Sequence, residues 1–552
     1  MNGVRRGRTR LFALILTAWA AVVVARLVQI QIAQGSRYRA KAARQQERRI
    51  EIAASRGSIL DREGRELAVS VEACSIYAIP DDVLKPPRPT AEALGPLLGM
   101  PVSEILEKLK SEKGFVWIRR QIDTEAAAKI RALKLAGIHF VAEPRRSYPK
   151  GRLAAAVLGF VGTDGGGLAG LEHLYDRAIR GKPGEMVALT DARRSRYGEA
   201  ETANSRPAQE GSSLILSLDS GVQFAAEHEL AAAMVEHHAK SGSVVVLDPW
   251  NGEILAMASA PDFDANDFAH YPADWRRNRV IADSYEPGST FKIVTGALAL
   301  EEGLVSLDEI IDTGDGTIRV ANTTIQEAKG HRYGALTLGG IFEHSSNIGI
   351  IRVGLRLGAR RLFEGARSFG VGQSTGIDLP GENTGIFRPL ARWSALSNAE
   401  ISMGQEVSLN ALQLARITAI IANGGKLVQP HVVTKIVEPG GAARAVALPE
   451  PPRVLSEATA RSISRILVGV VERGNSSNAK VAGFQVAGKT GTAQTAPGKP
   501  ADAWFVSFAP ADSGDVAVAV VVEGAPNDGQ ISGGRLAAPV AKAVMEAILN
   551  NK

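Results

Sequence analysis

Three short fragments constrain this chain more than anything else in it: Ser289-Thr290-Phe291-Lys292, Ser345-Ser346-Asn347 and Lys489-Thr490-Gly491, in that order. Each is weak alone, because short patterns recur by chance. Ser477-Asn478-Ala479-Lys480 repeats the first, and Ser408-Leu409-Asn410 and Ser476-Ser477-Asn478 repeat the second. All three together demand a fold that gathers distant segments around one serine.

The chemistry of each fragment agrees with that demand. Glu286-Pro287-Gly288 breaks the chain before Ser289, and Thr290 to Glu302 reads as a helix stopped by Gly303. Ser289 then stands at a helix amino terminus, where unpaired N–H groups and the positive dipole end favour a developing oxyanion. Lys292 follows one turn later on the same face. A hydroxyl is a poor nucleophile until something takes its proton. A lysine shielded from water beside Asn347 and Lys489 is neutral often enough to take it. Taken alone, Ser289 reads as a helix cap and Lys292 as a solvated cation.

Ser345-Ser346-Asn347 falls in a turn-rich break between Leu338 to Phe342 and Ile348 to Leu357. A hydroxyl there can pass a proton to a leaving amine, and an amide can hold a substrate backbone; Ser346 and Asn347 serve equally well as helix N-caps. Lys489-Thr490-Gly491-Thr492 follows a strand, and Gly491 marks a close approach of another backbone. A peptide added to this edge would pair by its main chain, with Lys489 and the hydroxyls of Thr490 and Thr492 attracting a carboxylate. An ordinary strand with a glycine bulge has the same sequence.

The amino terminus sets the compartment. Arg5, Arg6, Arg8 and Arg10 precede an uninterrupted apolar run from Leu11 to Ala25, and Leu27 to Ile32 extends it past Arg26. Positive-inside logic keeps the basic end in the cytoplasm and sends the rest of the chain outside. Arg26 reaches the far headgroups with its stem. Ala18-Trp19-Ala20 resembles a signal-peptidase site. The run outlasts a signal core, however, and a basic amphipathic segment from Tyr38 to Arg49 continues it, so a retained single-pass anchor is expected. The net charge of +6 is modest and concentrated near this end, which reads as membrane-proximal and not as a nucleic-acid surface. A generically basic surface gives the same balance. Cys74 is the only cysteine, which excludes an intrachain disulfide and a cysteine-based metal site. His228, His237 and His238 read as a solvated helix face, and no metal or cofactor is called for.

At 552 residues the chain holds about three to four units of ~150 residues. We expect a cytoplasmic tail over 1–10, an anchor over 11–32, a mixed α/β extracytoplasmic pedestal over 33–211 and a catalytic domain over 212–552. In the pedestal, Arg56 to Ala68 reads as a strand with a turn at Glu63-Gly64, and a second strand runs through Val69 to Ile79. Helices follow at Thr90 to Leu98, Ser103 to Leu109 and Thr124 to Leu135. The polar stretch Ser195 to Gly211 reads as a linker. Beyond it come a strand at Ser213 to Leu218 and a helix capped by Asp219. Next is a hairpin of Ser243 to Leu247 with Glu253 to Ser259, turning at Asn251-Gly252. Strands at Phe484 to Lys489, Ala503 to Phe508 and Val516 to Val522 follow late, and a helix from Pro539 to Leu549 closes the chain. Glu438 to Pro452 reads as a loop. Two strands early, three late and helices between imply a five-stranded antiparallel sheet flanked by helices, with a helical subdomain inserted.

This set of motifs resembles the class B penicillin-binding proteins, the monofunctional peptidoglycan transpeptidases, most closely their FtsI-type division enzymes. Arg56-Gly57-Ser58-Ile59-Leu60-Asp61-Arg62, Trp117 to Gln121, Arg146-Ser147-Tyr148-Pro149 and Gly170-Leu171-Glu172 look like the family's pedestal motifs. Asp248-Pro249, Gly252 to Ala258, Arg277-Asn278-Arg279, Glu286 to Lys292 and Ala487 to Ala493 look like its catalytic ones. The resemblance implies that Ser289 attacks the penultimate D-alanine of a stem pentapeptide ending in D-Ala-D-Ala. A neighbouring stem's amine then takes the acyl group. Lys292 would be the base, Ser345 the proton relay and Asn347 a substrate clamp. Lys489, Thr490, Gly491 and Thr492 would bind substrate, and the backbone N–H groups of Ser289 and Thr492 would form the oxyanion hole. It further implies β-lactams as inhibitors, and an FtsW-type glycosyltransferase and other divisome proteins as partners. The implied location is the cytoplasmic membrane, with the catalytic domain in the periplasm or its equivalent. An elongation-specific class B enzyme, or a penicillin sensor or scaffold for a membrane glycosyltransferase, are the competing readings. One stretch departs from the family: Glu406 stands where glycine is usual, and Asn410-Ala411 where Thr-Pro is frequent.

Overall fold

The computed structural model describes residues 2–38, 41, 47–189, 206–494, 501–526 and 532–550. They form two units, one of Met1–Ser55 with Gly181–Glu210 and one of Arg56–Arg180 with Gly211–Lys552.

In the first unit a helix over Asn2–Val28 runs on through a wider turn over Gln29–Ala33. The stretch Gly7–Ala33 contains 18 successive residues of mean hydropathy 2.3 and is long and apolar enough to cross a membrane. Glu47–Ile52 pairs antiparallel with Gly184–Leu189. Most of the amphipathic segment expected over Tyr38 to Arg49, and the linker over Ser195 to Gly211 up to residue 205, lie outside the described residues.

The second unit is built on the expected five-stranded antiparallel sheet. Its strands are β1 (Ser241–Leu247), β2 (Ile254–Ala260), β3 (Ala487–Gln494), β4 (Ala501–Ala509) and β5 (Val516–Ala525), in the order β2-β1-β5-β4-β3. The β1–β2 hairpin turns at Gly252, whose φ of +83° favours glycine. Successive residues of a strand face opposite sides. Val244 and Val246 enter one core with Val222, Ala226 and Leu230 of the helix Ser220–Glu236 and with the closing helix. Val245 and Leu247 enter the other with Val294, Leu414 and Ile417. Both faces are covered, which is why these strands read as continuous apolar runs. The expected N-cap is present: the Asp219 carboxylate accepts the Gly221 and Val222 N–H groups.

Several boundaries differ from expectation. The closing helix starts at Gly533, six residues before Pro539, because Leu536, Ala537 and Ala538 already pack against the sheet. Burial of that face carries the helix through the proline that sequence would place at its first turn. β3 starts at Ala487, so Lys489-Thr490-Gly491 lies inside the strand and not after it; Phe484 makes only an isolated bridge with Val481. Within the expected loop Glu438 to Pro452, Ala443–Ala445 forms a strand against Val433–Val437.

A second sheet joins segments far apart in sequence. Its order is Ala443–Ala445, Val433–Val437, Ser213–Leu216, Ile59–Leu60, Glu66–Val71 and Arg145–Ser147. Its one parallel pair is Ile59–Leu60 with Ser213–Leu216. The expected strand Val69 to Ile79 breaks at Glu72: Ala73–Ala78 belongs instead to a three-stranded sheet with Val116–Asp123 and Ile138–Ala142. Helices over Arg88–Leu98, Val102–Leu109 and Thr124–Ala132 close a separate small core on that sheet.

The pedestal motifs converge on one carboxylate. Glu172, fully buried, accepts Arg56 Nη2 at 2.7 Å, Arg146 Nε at 2.6 Å and the Tyr148 hydroxyl at 3.4 Å. Arg56 also donates to Asp176 at 2.6 Å. Like charges this close are tolerable only when interleaved with opposite ones.

Candidate active site

The Ser289 turn is set by backbone contacts. Gly288–Phe291 forms a 3-10 turn that passes into the helix Lys292–Glu301. Gly288 has φ of +52°, and a Cβ there would lie 3.1 Å from the Thr492 carbonyl oxygen. A Cβ on Gly491 would lie 2.5 Å from the Pro287 carbonyl oxygen. The turn therefore sits directly on β3, which is an edge strand, and Gly491 marks the close approach its sequence suggested. The half-buried Ser289 and the Thr492 backbone are thereby brought to the same place.

Behind the turn lies a buried pair of lysines. Lys292 is fully buried and donates to Asn347 Oδ1 at 2.8 Å, to the Ser345 and Ser346 carbonyl oxygens at 2.6 and 3.2 Å, and to Ser345 Oγ at 3.3 Å. Lys489, equally buried, donates to Ser345 Oγ at 3.1 Å and to its neighbour's carbonyl, Thr490 O, at 3.1 Å. One hydroxyl thus bridges two amines. Burial pushes the Lys292 ammonium well below its ordinary value, and the charge of Lys489 pushes it further. Burial alone brings Lys489 down to about 7. Lys292, Ser345, Asn347 and Lys489 form one hydrogen-bonded cluster. The Ser289 hydroxyl is not among the partners of Lys292. Thr490 lies on the other face of β3, its hydroxyl donating to Asn475 Oδ1 at 3.1 Å.

Sequence reasoning missed two residues of the site: Glu327, which holds this cluster, and Asn475, which holds Thr490. Ser345 has φ of +55°, a left-handed conformation that non-glycine residues rarely adopt. Ser346 caps the helix Asn347–Leu357 by accepting the Gly349 N–H, as its cap-like pattern suggested. The buried Glu327 accepts the Ser346 hydroxyl and the N–H groups of Asn347 at 2.7 Å and Ile348 at 3.3 Å. This carboxylate sits on the positive end of the helix and draws the Lys292 ammonium back up. A lone acid after a short strand carries no pattern that would single it out. Asn475, which holds Thr490, precedes the chance repeat Ser476-Ser477-Asn478. That repeat is structural: Asn478 donates to the Gly534 carbonyl at 3.0 Å.

The departures from the family pattern also find local causes. Asn410 caps the helix Ala411–Ala422 through a capping box with Gln413, the role a threonine would fill. Glu406 has φ of +56°, the region where glycine is at ease.

Sheet, inserted helices and gathered fragments together define a serine enzyme of the penicillin-recognising, acyl-transferring class. Comparison with known proteins agrees. Residues 242–546 match the penicillin binding protein transpeptidase domain, and residues 51–216 the penicillin-binding protein dimerisation domain. The chain is 35% identical to stage V sporulation protein D of Bacillus subtilis, covering 95% of this chain and 82% of that protein. It is 33% identical to the peptidoglycan D,D-transpeptidase FtsI of Escherichia coli, covering 90% and 84%. Among solved structures it resembles a peptidoglycan synthetase of Bifidobacterium adolescentis, with TM-score 0.73, 26% identity and 92% and 96% coverage. It also resembles penicillin-binding protein 3 of Mycobacterium tuberculosis complexed with ampicillin, with TM-score 0.70, 28% identity and 91% and 96% coverage. The chain belongs to the class B penicillin-binding proteins, the peptidoglycan D,D-transpeptidases.

Proposed function

We propose that this protein cross-links peptidoglycan stem peptides at the division septum through an acyl-enzyme on Ser289. The observation that carries the reading is the Ser345 hydroxyl held between two fully buried lysines. Ser289 Oγ attacks the carbonyl of the penultimate D-alanine, and its proton passes to neutral Lys292. The backbone N–H groups of Ser289 and Thr492 hold the oxyanion. Ser345 relays a proton to the departing D-alanine amine, whose bond to the carbonyl breaks. The amine of a second stem then attacks the ester and frees the serine. At the free edge of β3, Lys489 attracts the terminal carboxylate from one face and the Thr490 and Thr492 hydroxyls from the other, that of Thr490 after leaving Asn475; Asn347 orients the peptide, and Gly491 lets it add to the edge.

In the same reading residues 1–10 are cytoplasmic, 11–32 form the anchor, 33–211 form an extracytoplasmic pedestal, and 212–552 carry the catalysis. β-Lactams acylate the same serine, as the ampicillin complex of the mycobacterial relative suggests. The pedestal and anchor dock an FtsW-type glycosyltransferase and other divisome proteins. Identity to an FtsI supports the septal role. Depletion should yield filaments, and bulging cells would point to elongation instead.

The catalytic assignment is tested by labelling purified protein with a fluorescent penicillin. Ser289→Ala should abolish the covalent band, and Ser477→Ala, in the chance S-x-x-K repeat, should leave it unchanged. A band that persists in Ser289→Ala would end the proposal.

A further inference from the structure

The segment after Ser402 lies against the nucleophile's own turn. The Gly404 carbonyl accepts the Gly288 N–H at 3.1 Å. Tyr285 and Leu409 exchange both backbone hydrogen bonds, at 3.0 and 2.9 Å. A Cβ on Gly404 would lie 2.0 Å from the Gly288 carbonyl oxygen, so the contact is backbone on backbone. Glu406 stands between these contacts in its left-handed conformation. Its N–H donates to Glu286 Oε1 at 3.1 Å. Its carboxylate is gripped by the Arg388 guanidinium and by the Ser397 hydroxyl, the latter at 2.6 Å. Glu286, three residues before Ser289, is held from its other side by Trp504 Nε1, which donates to its carbonyl at 3.1 Å.

We propose that Arg388 and Glu406 are positioning residues for acyl transfer: their ion pair pins residue 406 in a left-handed conformation, and so fixes Glu286 and Gly288, which lead directly into the serine. The inference rests on Ser289 being the nucleophile. A glutamate in this conformation needs an anchor, whereas glycine occupies it at no steric cost. Arg388 supplies that anchor from just after the short strand Ile386–Phe387, which pairs with Val407–Ser408. Neither side chain has to touch substrate. What they set is the aim of the Ser289 hydroxyl, and small displacements of a reacting atom cost large factors in rate.

The experiment is stopped-flow acylation of the full chain in detergent by a fluorescent penicillin, resolving the binding constant from the acylation constant. Arg388→Gln should slow acylation by about tenfold with binding unchanged. Adding Glu406→Gly to it should restore the rate to within about twofold, because glycine needs no anchor. If the ion pair only adds stability, Arg388→Gln acylates at the parent rate and unfolds at a lower temperature. Should Arg388→Gln fail to fold, Arg388→Lys with and without Glu406→Gly poses the same question. An unchanged acylation constant in Arg388→Gln, or no rescue by glycine, overturns the inference and leaves the nucleophile assignment standing. Label surviving in Ser289→Ala would overturn that assignment, and the inference with it.

Discussion

Lys292→Ala should slow penicillin acylation by about 10²–10⁴-fold while the protein still folds, because general-base assistance is of that size. The substitution removes an amine whose four hydrogen bonds all end on Ser345, Ser346 and Asn347. The pH dependence separates its role from that of Lys489. A neutral Lys292 accepts a proton and a charged Lys489 attracts a carboxylate, so the two must differ in charge at working pH. Lys489 loses its charge as pH rises through about 7. Acylation by carboxylate-bearing β-lactams should therefore decline above about 7, and Lys489→Arg should move that decline to higher pH. Stability runs the other way. Both lysines have folded-state values below the ordinary 10.5, so the unfolded chain binds more protons between about 7 and 10.5. Stability rises with pH across that window and is lost again as pH falls through it. An acylation rate within threefold of the parent in Lys292→Ala would remove this residue from the mechanism.

Glu172→Ala should destabilise the protein by about 3–5 kcal/mol, the usual consequence of stripping one partner from a buried ionic cluster. The carboxylate is fully buried, and its loss leaves the buried Arg146 with no acidic partner and the buried Arg56 with Asp176 alone. Desolvation of the guanidinium groups persists after their compensation is gone. By contrast, Arg360→Ala breaks a pair with Glu364 in which both side chains are largely exposed, and should change stability by less than about 1 kcal/mol. Chemical denaturation of both variants makes the comparison. A Glu172→Ala loss no larger than the Arg360→Ala loss would show that the cluster contributes nothing to the fold.

The sequence was most legible where one residue carries one physical demand. Gly252 and Gly491 announce a turn and a close approach, Asp219 a cap, and the apolar runs of β1, β4 and β5 a sheet covered on both faces. Lys292 and Lys489 were recognised through ordered fragments. Their burial around a shared hydroxyl depends on contacts between residues far apart in sequence. Glu327, Asn475 and Arg388 act through such contacts alone, and a polar residue alone in sequence looks the same whether it is solvated or caps a helix. Pro539 misled for a related reason: local preference places it at a helix start, and packing of Leu536 and Ala537 overrides that preference. The left-handed φ of Glu406 could be suspected only because glycine usually stands there.

One hydrogen-bonded ladder reaches from Arg145–Ser147 to Ala443–Ala445, with Ser213–Leu216 in its middle. Trimming the protein at residue 211 to isolate a catalytic fragment would cut into that ladder and strip Ser213–Leu216 of its neighbour Ile59–Leu60, exposing a raw edge prone to aggregation. The same backbone pairing joins Ile59–Leu60, just after Arg56, to Ser213–Leu216 and through it to Val433–Val437, so the two ends of this ladder share one continuous set of main-chain hydrogen bonds.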